Sequence, residues 1–178
     1  MRRAVFLDRD GVINRSLVRD GKPYAPTAME ELEILPGVAL ALNRLRAEGF
    51  LNIVVTNQPD LSTGKQTPAT LEAMHARLMR ELPLDAIRVC PHTDAAACAC
   101  RKPAPGLLLD AAREFDVDLP SSHMVGDRWR DIEAGQKAGC GCFFIDYGYA
   151  EKSPEKPYVA VKCLPDAVDI ILSAHPHS

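Results

Sequence analysis

Two aspartates separated by one residue are the first groups in this chain that could do chemistry. The run Asp8-Arg9-Asp10-Gly11 follows the apolar stretch Ala4-Val5-Phe6-Leu7, so both carboxylates fall just past a short buried segment. One carboxylate can serve as a nucleophile, and a second can move a proton. Asp-Gly is also a common turn dipeptide, so this pair alone fits a turn equally well. Three further polar groups follow in order. Thr56-Asn57-Gln58 comes directly after Asn52-Ile53-Val54-Val55, and Arg101-Lys102-Pro103 opens a periodic apolar segment. Gly126-Asp127 follows Met124-Val125, with Asp131 four residues on, one helical turn away. A carboxylate that attacks a phosphate dianion meets like-charge repulsion, which a lysine and a divalent cation offset.

A second constellation is separate from the first. Cys90-x-His92, five residues, then Cys98-x-Cys100 places four soft-to-borderline ligands within eleven positions. Zinc takes such sets tetrahedrally, and a closed set of three thiolates and one imidazole is structural rather than catalytic. Cys140, Cys142 and Cys163 lie in or near apolar stretches, where a free cysteine packs as a small hydrophobe.

The elements that must position these groups alternate. Ala4 to Leu7, Leu51 to Val55, Ile87 to Val89, Met124 to Val125 and Cys142 to Ile145 read as buried strands. Helical spacing of apolar residues runs from Val38 to Leu45, Leu71 to Met79, Leu107 to Phe115, Ile132 to Ala138 and Leu164 to Leu172. Gly37 and Gly49 bracket the first helix, and Thr67-Pro68 supplies a cap and a first-turn proline for the second. Strands separated by helices of this length predict an α/β fold with a central parallel sheet covered on both faces. Ligands bind such sheets at the carboxyl ends of the strands, where the polar groups fall. His75, on an apolar helix face, reads as a structural histidine. Trp129 reads as a packing residue at the surface or the site rim. His175 and His177, in the polar tail, carry no functional reading.

At 178 residues the chain suits one domain with a real core, spanning 1–178 with the cysteine loop at about 90–101. Apolar residues make up 47% and charged residues 25%, and the net charge is −3, which argues against nucleic-acid binding. The short apolar run at the start is no signal peptide and no stretch reaches a membrane span, so a cytoplasmic monomer is expected. Six cysteines in such a chain are not expected to form disulfides.

The order Asp8-x-Asp10-Gly11, Thr56-Asn57-Gln58, Lys102-Pro103, Gly126-Asp127-x-x-x-Asp131 resembles the haloacid dehalogenase superfamily of phosphohydrolases, over roughly residues 3 to 147. The resemblance implies a Rossmann-like three-layer α/β/α core. It implies that Asp8 attacks phosphorus, that Asp10 protonates the leaving oxygen and then activates water, and that Thr56 hydrogen-bonds the phosphoryl group. Lys102 would neutralise charge, and Asp8, Asp10 and Asp127 would hold magnesium. Asp131 is open between a water-mediated ligand, an orienter of Lys102 and a first-turn helix acid. The presence of Asp10 favours phosphatase over dehalogenase chemistry.

The cysteine loop running into Arg101-Lys102-Pro103 is similar to a group within that superfamily, the D,D-heptose 1,7-bisphosphate phosphatases and related histidinol-phosphatases. There the zinc loop replaces a large cap domain. About 45 residues between the first two motifs leave room for one helix and its loops. The chain departs from the group after Gln58, where Pro59-Asp60-Leu61-Ser62-Thr63-Gly64-Lys65 lacks the group's arginine. Lys65 is the candidate replacement, and Asn57 and Arg101 are the other candidate substrate contacts. The expectation is a magnesium-dependent phosphomonoesterase with structural zinc, acting on a small phosphorylated metabolite. A heptose 1,7-bisphosphate (at the 7-position) or histidinol phosphate is the expected substrate. The rival is a catalytically silent, zinc-stabilised interaction module.

Overall fold

The computed structural model describes residues 1–175, so His177 lies outside the described residues. Six strands form one parallel sheet: β1 (Arg3–Leu7), β4 (Phe50–Asn57), β5 (Ala86–Cys90), β6 (His123–Gly126), β7 (Gly141–Ile145) and β8 (Val159–Val161). They lie in the order β5-β4-β1-β6-β7-β8. The chain builds outward from β1 through β4 to β5, then crosses back to β6 on the other side of β1. That reversal opens a crevice above the carboxyl ends of β1, β4 and β6.

Helices cover both faces, as the alternation of the strands requires. Val5 and Leu7 of β1 point into a core closed by α1 (Val38–Ala47), α3 (Pro68–Glu81) and α6 (Leu164–Ser173). Ala4 and Phe6 point the other way, into a core closed by α4 (Gly106–Phe115) and α5 (Trp129–Ala138). Gly37 caps α1 at φ 77°, a left-handed conformation that a side chain would strain. Thr67 caps α3 through its Oγ1, which accepts from Thr70 N at 3.2 Å, with Pro68 in the first turn.

The five predicted strands and five predicted helices all form, within a few residues of the expected bounds. Other elements were not expected: the hairpin β2 (Leu17–Arg19) and β3 (Lys22–Tyr24), the single turn α2 (Asp60–Thr63), the edge strand β8, and the short 3-10 turns at Met29–Glu31, Asp94–Ala96 and Leu119–Ser121. In the polar tail the His175 ring packs 5.7 Å from Phe50 and 5.9 Å from His123. Cys140 and Cys142 are buried in the core, as expected. Among the described residues no helix is long and apolar enough to cross a membrane.

Candidate active site

Asp8 is the first residue past β1, and its carboxylate is held from two directions. Oδ1 accepts from Arg9 N at 2.9 Å and from Lys102 Nζ at 3.0 Å. Lys102 also donates to Val55 O at 2.7 Å and to Asp131 Oδ1 at 2.6 Å, which spends all three of its protons. Burial alone would depress the lysine's proton affinity, but the charges of Asp131 and Asp8 more than reverse this, and it stays protonated. Its backbone is fixed as tightly: Asn57 Nδ2 donates to Lys102 O at 3.0 Å, and Asn57 Oδ1 accepts from Lys102 N at 3.1 Å. Both ends of the Asn57 amide are therefore committed to placing Lys102, although Asn57 still lines the cleft.

One lysine faces three buried carboxylates. Oxygens of Asp8, Asp127 and Asp131 lie within 4.8 Å of one another. Burial, then repulsion from Asp131, pushes Asp8 up to about 6, and burial with repulsion from Asp8 and Asp131 raises Asp127 well above the usual range. Asp127 Oδ1 is buried with no hydrogen-bond partner. An excess of negative charge around an unsatisfied carboxylate oxygen fits a hard divalent cation such as magnesium. The second oxygen of Asp131 accepts from Arg128 N at 3.0 Å, so Asp131 caps α5 and orients Lys102 at once.

Asp10 stands apart from this cluster. Its Oδ1 accepts from Arg9 Nε (3.1 Å), Arg9 Nη2 (2.8 Å) and Asn14 Nδ2 (3.0 Å), and its Oδ2 from Gln58 Nε2 at 3.0 Å. Burial works against the charged form, but Arg9 and these hydrogen bonds outweigh it and hold the carboxyl below its usual value. The Asp10 carboxylate lies outside the cluster of Asp8, Asp127 and Asp131, and each of its oxygens already accepts a hydrogen bond. Thr56 is fully buried, and its Oγ1 accepts from Gln58 Nε2 at 2.9 Å. Arg9 is wholly buried and also meets His75 Nε2 at 3.0 Å, which gives His75 the structural place it was assigned.

Cations ring the mouth of the cleft. Arg101, Arg128 and Arg130 line it, with Tyr24 of the hairpin and Asp60 opposite. Arg101 Nε donates to Asp94 Oδ1 at 2.7 Å and its Nη1 to His92 O at 3.1 Å, while Arg130 grips the same Asp94 with two bonds of 3.1 Å. Lys65 does not join them. It is exposed beyond the left-handed Gly64 that ends α2 and is not among the cleft residues. Trp129 packs outside the cleft, with Lys152 Nζ 3.7 Å from its ring centre.

The cysteine loop forms the cluster its spacing predicts. Cys90, His92, Cys98 and Cys100 each offer a donor atom within 4.8 Å of the others. Five donor–donor separations run from 2.9 to 3.6 Å. A zinc tetrahedron with ~2.3 Å bonds to sulfur has edges of about 3.8 Å, so a small expansion admits the ion. The loop is wired to the cleft floor: Gln58 N donates to Cys90 O at 2.8 Å, and Cys100 is two residues before Lys102.

The chain is similar to known proteins. The D-glycero-beta-D-manno-heptose-1,7-bisphosphate 7-phosphatase of Bordetella bronchiseptica is 38% identical over 154 residues, which cover 84% of this chain and 83% of the relative. The D-glycero-alpha-D-manno-heptose-1,7-bisphosphate 7-phosphatase of Mycobacterium tuberculosis is 41% identical over 155 residues, covering 82% and 80%. The chain belongs to the HAD-like heptose-bisphosphate phosphatase family. A HAD-hydrolase-like family model also matches residues 99–168. The fold agrees with that of the family: the crystal structure of the B. bronchiseptica D,D-heptose 1,7-bisphosphate phosphatase, complexed with magnesium and phosphate, superposes with a TM-score of 0.83 at 33% identity. It covers 97% of this chain and 99% of that one.

Several members of the site were not candidates from the sequence. Arg9 and Gln58 lie within the motifs but were given no role of their own, and both are buried against Asp10. Arg130 sits one residue before the expected Asp131. Tyr149, whose hydroxyl donates to Asp127 Oδ2 at 2.7 Å, comes from the loop after β7. The available signal was its place at the same sheet edge as the motifs.

Proposed function

We propose that this chain is a magnesium-dependent phosphomonoesterase that removes the 7-phosphate of a D-glycero-D-manno-heptose 1,7-bisphosphate through an aspartyl-phosphate on Asp8. One observation carries the mechanism: a buried carboxylate at a strand end, 3.0 Å from a buried lysine and beside Asp127. Asp8 and Asp127 would hold magnesium, with Asp131 beside them. The ion, when bound, supplies positive charge that offsets repulsion between the nucleophile and the phosphate dianion.

The chain's own residues do the rest. Asp8 Oδ attacks phosphorus in line with the leaving oxygen, and Lys102 stabilises the charge that develops on the phosphoryl group. Thr56, whose oxygen is already an acceptor for Gln58, presents its O–H to that group. Asp10 is held ionised in the resting site. An arriving phosphate adds negative charge beside it and raises its proton affinity, so that it takes up a proton from solvent as substrate binds and passes that proton to the leaving oxygen. Restored as a carboxylate, Asp10 then takes the proton of the water that attacks the aspartyl-phosphate. Asn57 positions Lys102, and Arg101 is the candidate contact for the second phosphate.

We further read residues 1–178 as a single hydrolase domain without a large cap, carrying structural zinc on Cys90, His92, Cys98 and Cys100. The relatives' names and the cation-rimmed cleft support a small sugar bisphosphate as substrate. The unpaired cysteines suit a reducing compartment, and we place the enzyme in the cytoplasm. Steady-state kinetics with the 1α,7- and 1β,7-bisphosphates, histidinol phosphate and a 3′-phosphorylated oligonucleotide tests the reading. A heptose bisphosphate should lead by at least about tenfold in kcat/KM, or about 1.4 kcal/mol. Equal rates on all four would remove the substrate assignment, and no turnover by wild type with magnesium would remove the phosphatase itself.

A further inference from the structure

The loop after β7 sends two tyrosines back over the carboxylate cluster. Tyr149 Oη donates to Asp127 Oδ2 at 2.7 Å, and Tyr147 Oη donates to Gly11 O at 2.7 Å. The two rings stack with centroids 5.5 Å apart and planes 28° from parallel. Gly11 is the other wall of the same carboxylate: at φ 86° it lies so close that a Cβ there would sit 2.0 Å from Asp127 Oδ2. Next in sequence, Ala150 N donates to Gly21 O at 2.8 Å, and Glu151 holds Arg128 through bonds of 2.5 to 3.1 Å, so the loop is anchored on both sides of the cleft.

We infer that Tyr149 is a positioning residue for the metal site, one that fixes Asp127 with Oδ2 satisfied and Oδ1 turned into the carboxylate cluster. The inference rests on the magnesium reading above. A carboxylate buried to 1% exposure needs partners for both oxygens. Tyr149 fills one, and Asp127 Oδ1 has none among the described residues. That asymmetry leaves a single oxygen available to an ion, which suits the one-oxygen carboxylate ligation that magnesium favours. A phenol is neutral, so it fixes the carboxylate without competing as a cation, as a lysine there would. Tyr147, stacked on Tyr149 and bonded to Gly11 O, keeps the phenol and the Gly11 wall in register.

Partners of ligating carboxylates are worth about 10–100-fold in metal affinity or activity when removed. Magnesium titrated calorimetrically into wild type, Tyr149→Phe and Tyr147→Phe, with no substrate present, reads affinity independently of turnover. Tyr149→Phe should weaken magnesium binding 10–100-fold, while Tyr147→Phe, which keeps the Asp127 hydrogen bond, should stay within about threefold. In kinetics, the Tyr149→Phe defect should fall on the magnesium activation constant more than on kcat at saturating magnesium. Wild-type affinity in Tyr149→Phe overturns the inference alone. Equal losses in the two variants, or an unfolded Tyr149→Phe beside a folded Tyr147→Phe, also overturn it, by showing a structural latch. A wild type that hydrolyses substrate yet binds no magnesium overturns the inference and the metal assignment together, but leaves the phosphatase.

Discussion

The ammonium of Lys102 lies 2.6 Å from Oδ1 of Asp131, with both side chains almost wholly buried. Asp131 also caps α5 through Arg128 N, so one carboxylate joins the catalytic lysine to a helix start. Asp131→Ala should cost about 3 kcal/mol or more, combining a broken buried pair with a lost cap. Asp131→Asn, which keeps an oxygen for the cap, should cost less. The comparison belongs in urea melts with magnesium present, so that relief of repulsion among the carboxylates does not mask the loss. A cost below about 1 kcal/mol for Asp131→Ala would mean the pair is not formed in solution.

Asp8→Asn should abolish turnover and leave a folded protein, because an amide cannot attack phosphorus. Single-turnover assays with a sample checked for deamidation settle this. Residual wild-type-like rate would remove Asp8 from the nucleophile role.

For Asp10→Asn the expected loss depends on the leaving group. An alkyl phosphate needs a proton on its departing oxygen and should lose about 10²–10⁴-fold, the usual scale of acid–base catalysis. A nitrophenyl phosphate needs little protonation and should lose less in the first step. Equal losses for both substrates would assign Asp10 to holding Arg9 instead.

What the sequence made legible follows from the parallel sheet. Polar residues that interrupt buried strands can only sit at strand ends, and there Asp8, Thr56 and Asp127 were placed by pattern alone. The cysteine cluster was legible because its ligands are local. The hairpin from Leu17 to Tyr24 was not, since its three-residue strands carry no buried alternation. Arg9 carried no reading of its own, because burial of an arginine depends on partners as distant as His75. Tyr149 was missed because its bond to Asp127 spans 22 residues of chain. Lys65, the candidate replacement for the missing arginine of its segment, stands exposed outside the cleft, since α2 ends before it at Gly64.

Acid should destabilise the fold through two histidines. His123 is pushed down to about 4 by burial, then by His175 and Arg3, and neither ring nitrogen has a partner. His75 falls to about 4 through burial and Arg9. A base whose folded value lies below its unfolded 6.5 contributes stability in full above pH 6.5 and loses it as pH falls toward 4. Asp8 and Asp127 are shifted the opposite way and gain stability over the same range. The readout in thermal melts from pH 7 to pH 4 is therefore the stability of wild type minus that of His123→Phe, which should fall with pH. A variant with the wild-type pH slope would show that His123 is protonated at no cost.

The zinc clip should close the loop that carries Lys102. Native mass spectrometry should find about one zinc per chain that survives mild chelation. Cys98→Ser should lower stability by about 2–4 kcal/mol, similar to losing a covalent loop closure. Zinc-free protein of wild-type stability would overturn the clip.

Arg101 offers the sharpest test of the bisphosphate reading. It leaves the zinc loop one residue after Cys100, and its guanidinium is set by Asp94 and the His92 carbonyl. Two of its nitrogens are thus committed, and Nη2 is the nitrogen left to meet a ligand. Ordering of this kind lowers the entropy lost when the guanidinium grips a phosphate. Arg130 holds the same Asp94 and lines the same cleft, so removing Arg101 frees Asp94 to hold Arg130 alone. Arg101→Ala should lower kcat/KM for the sugar bisphosphate by about 2–3 kcal/mol, the range of a hydrogen bond to a charged group. Remote binding energy aids only the substrate that carries the remote group, so a small monophosphate should be nearly unaffected. Arg130→Ala should show the same selectivity with a smaller loss, and the double variant less than the sum, because the two share one partner. If both substrates lose equally, Arg101 acts on the transferring phosphoryl group or on the loop, and the second phosphate must bind elsewhere.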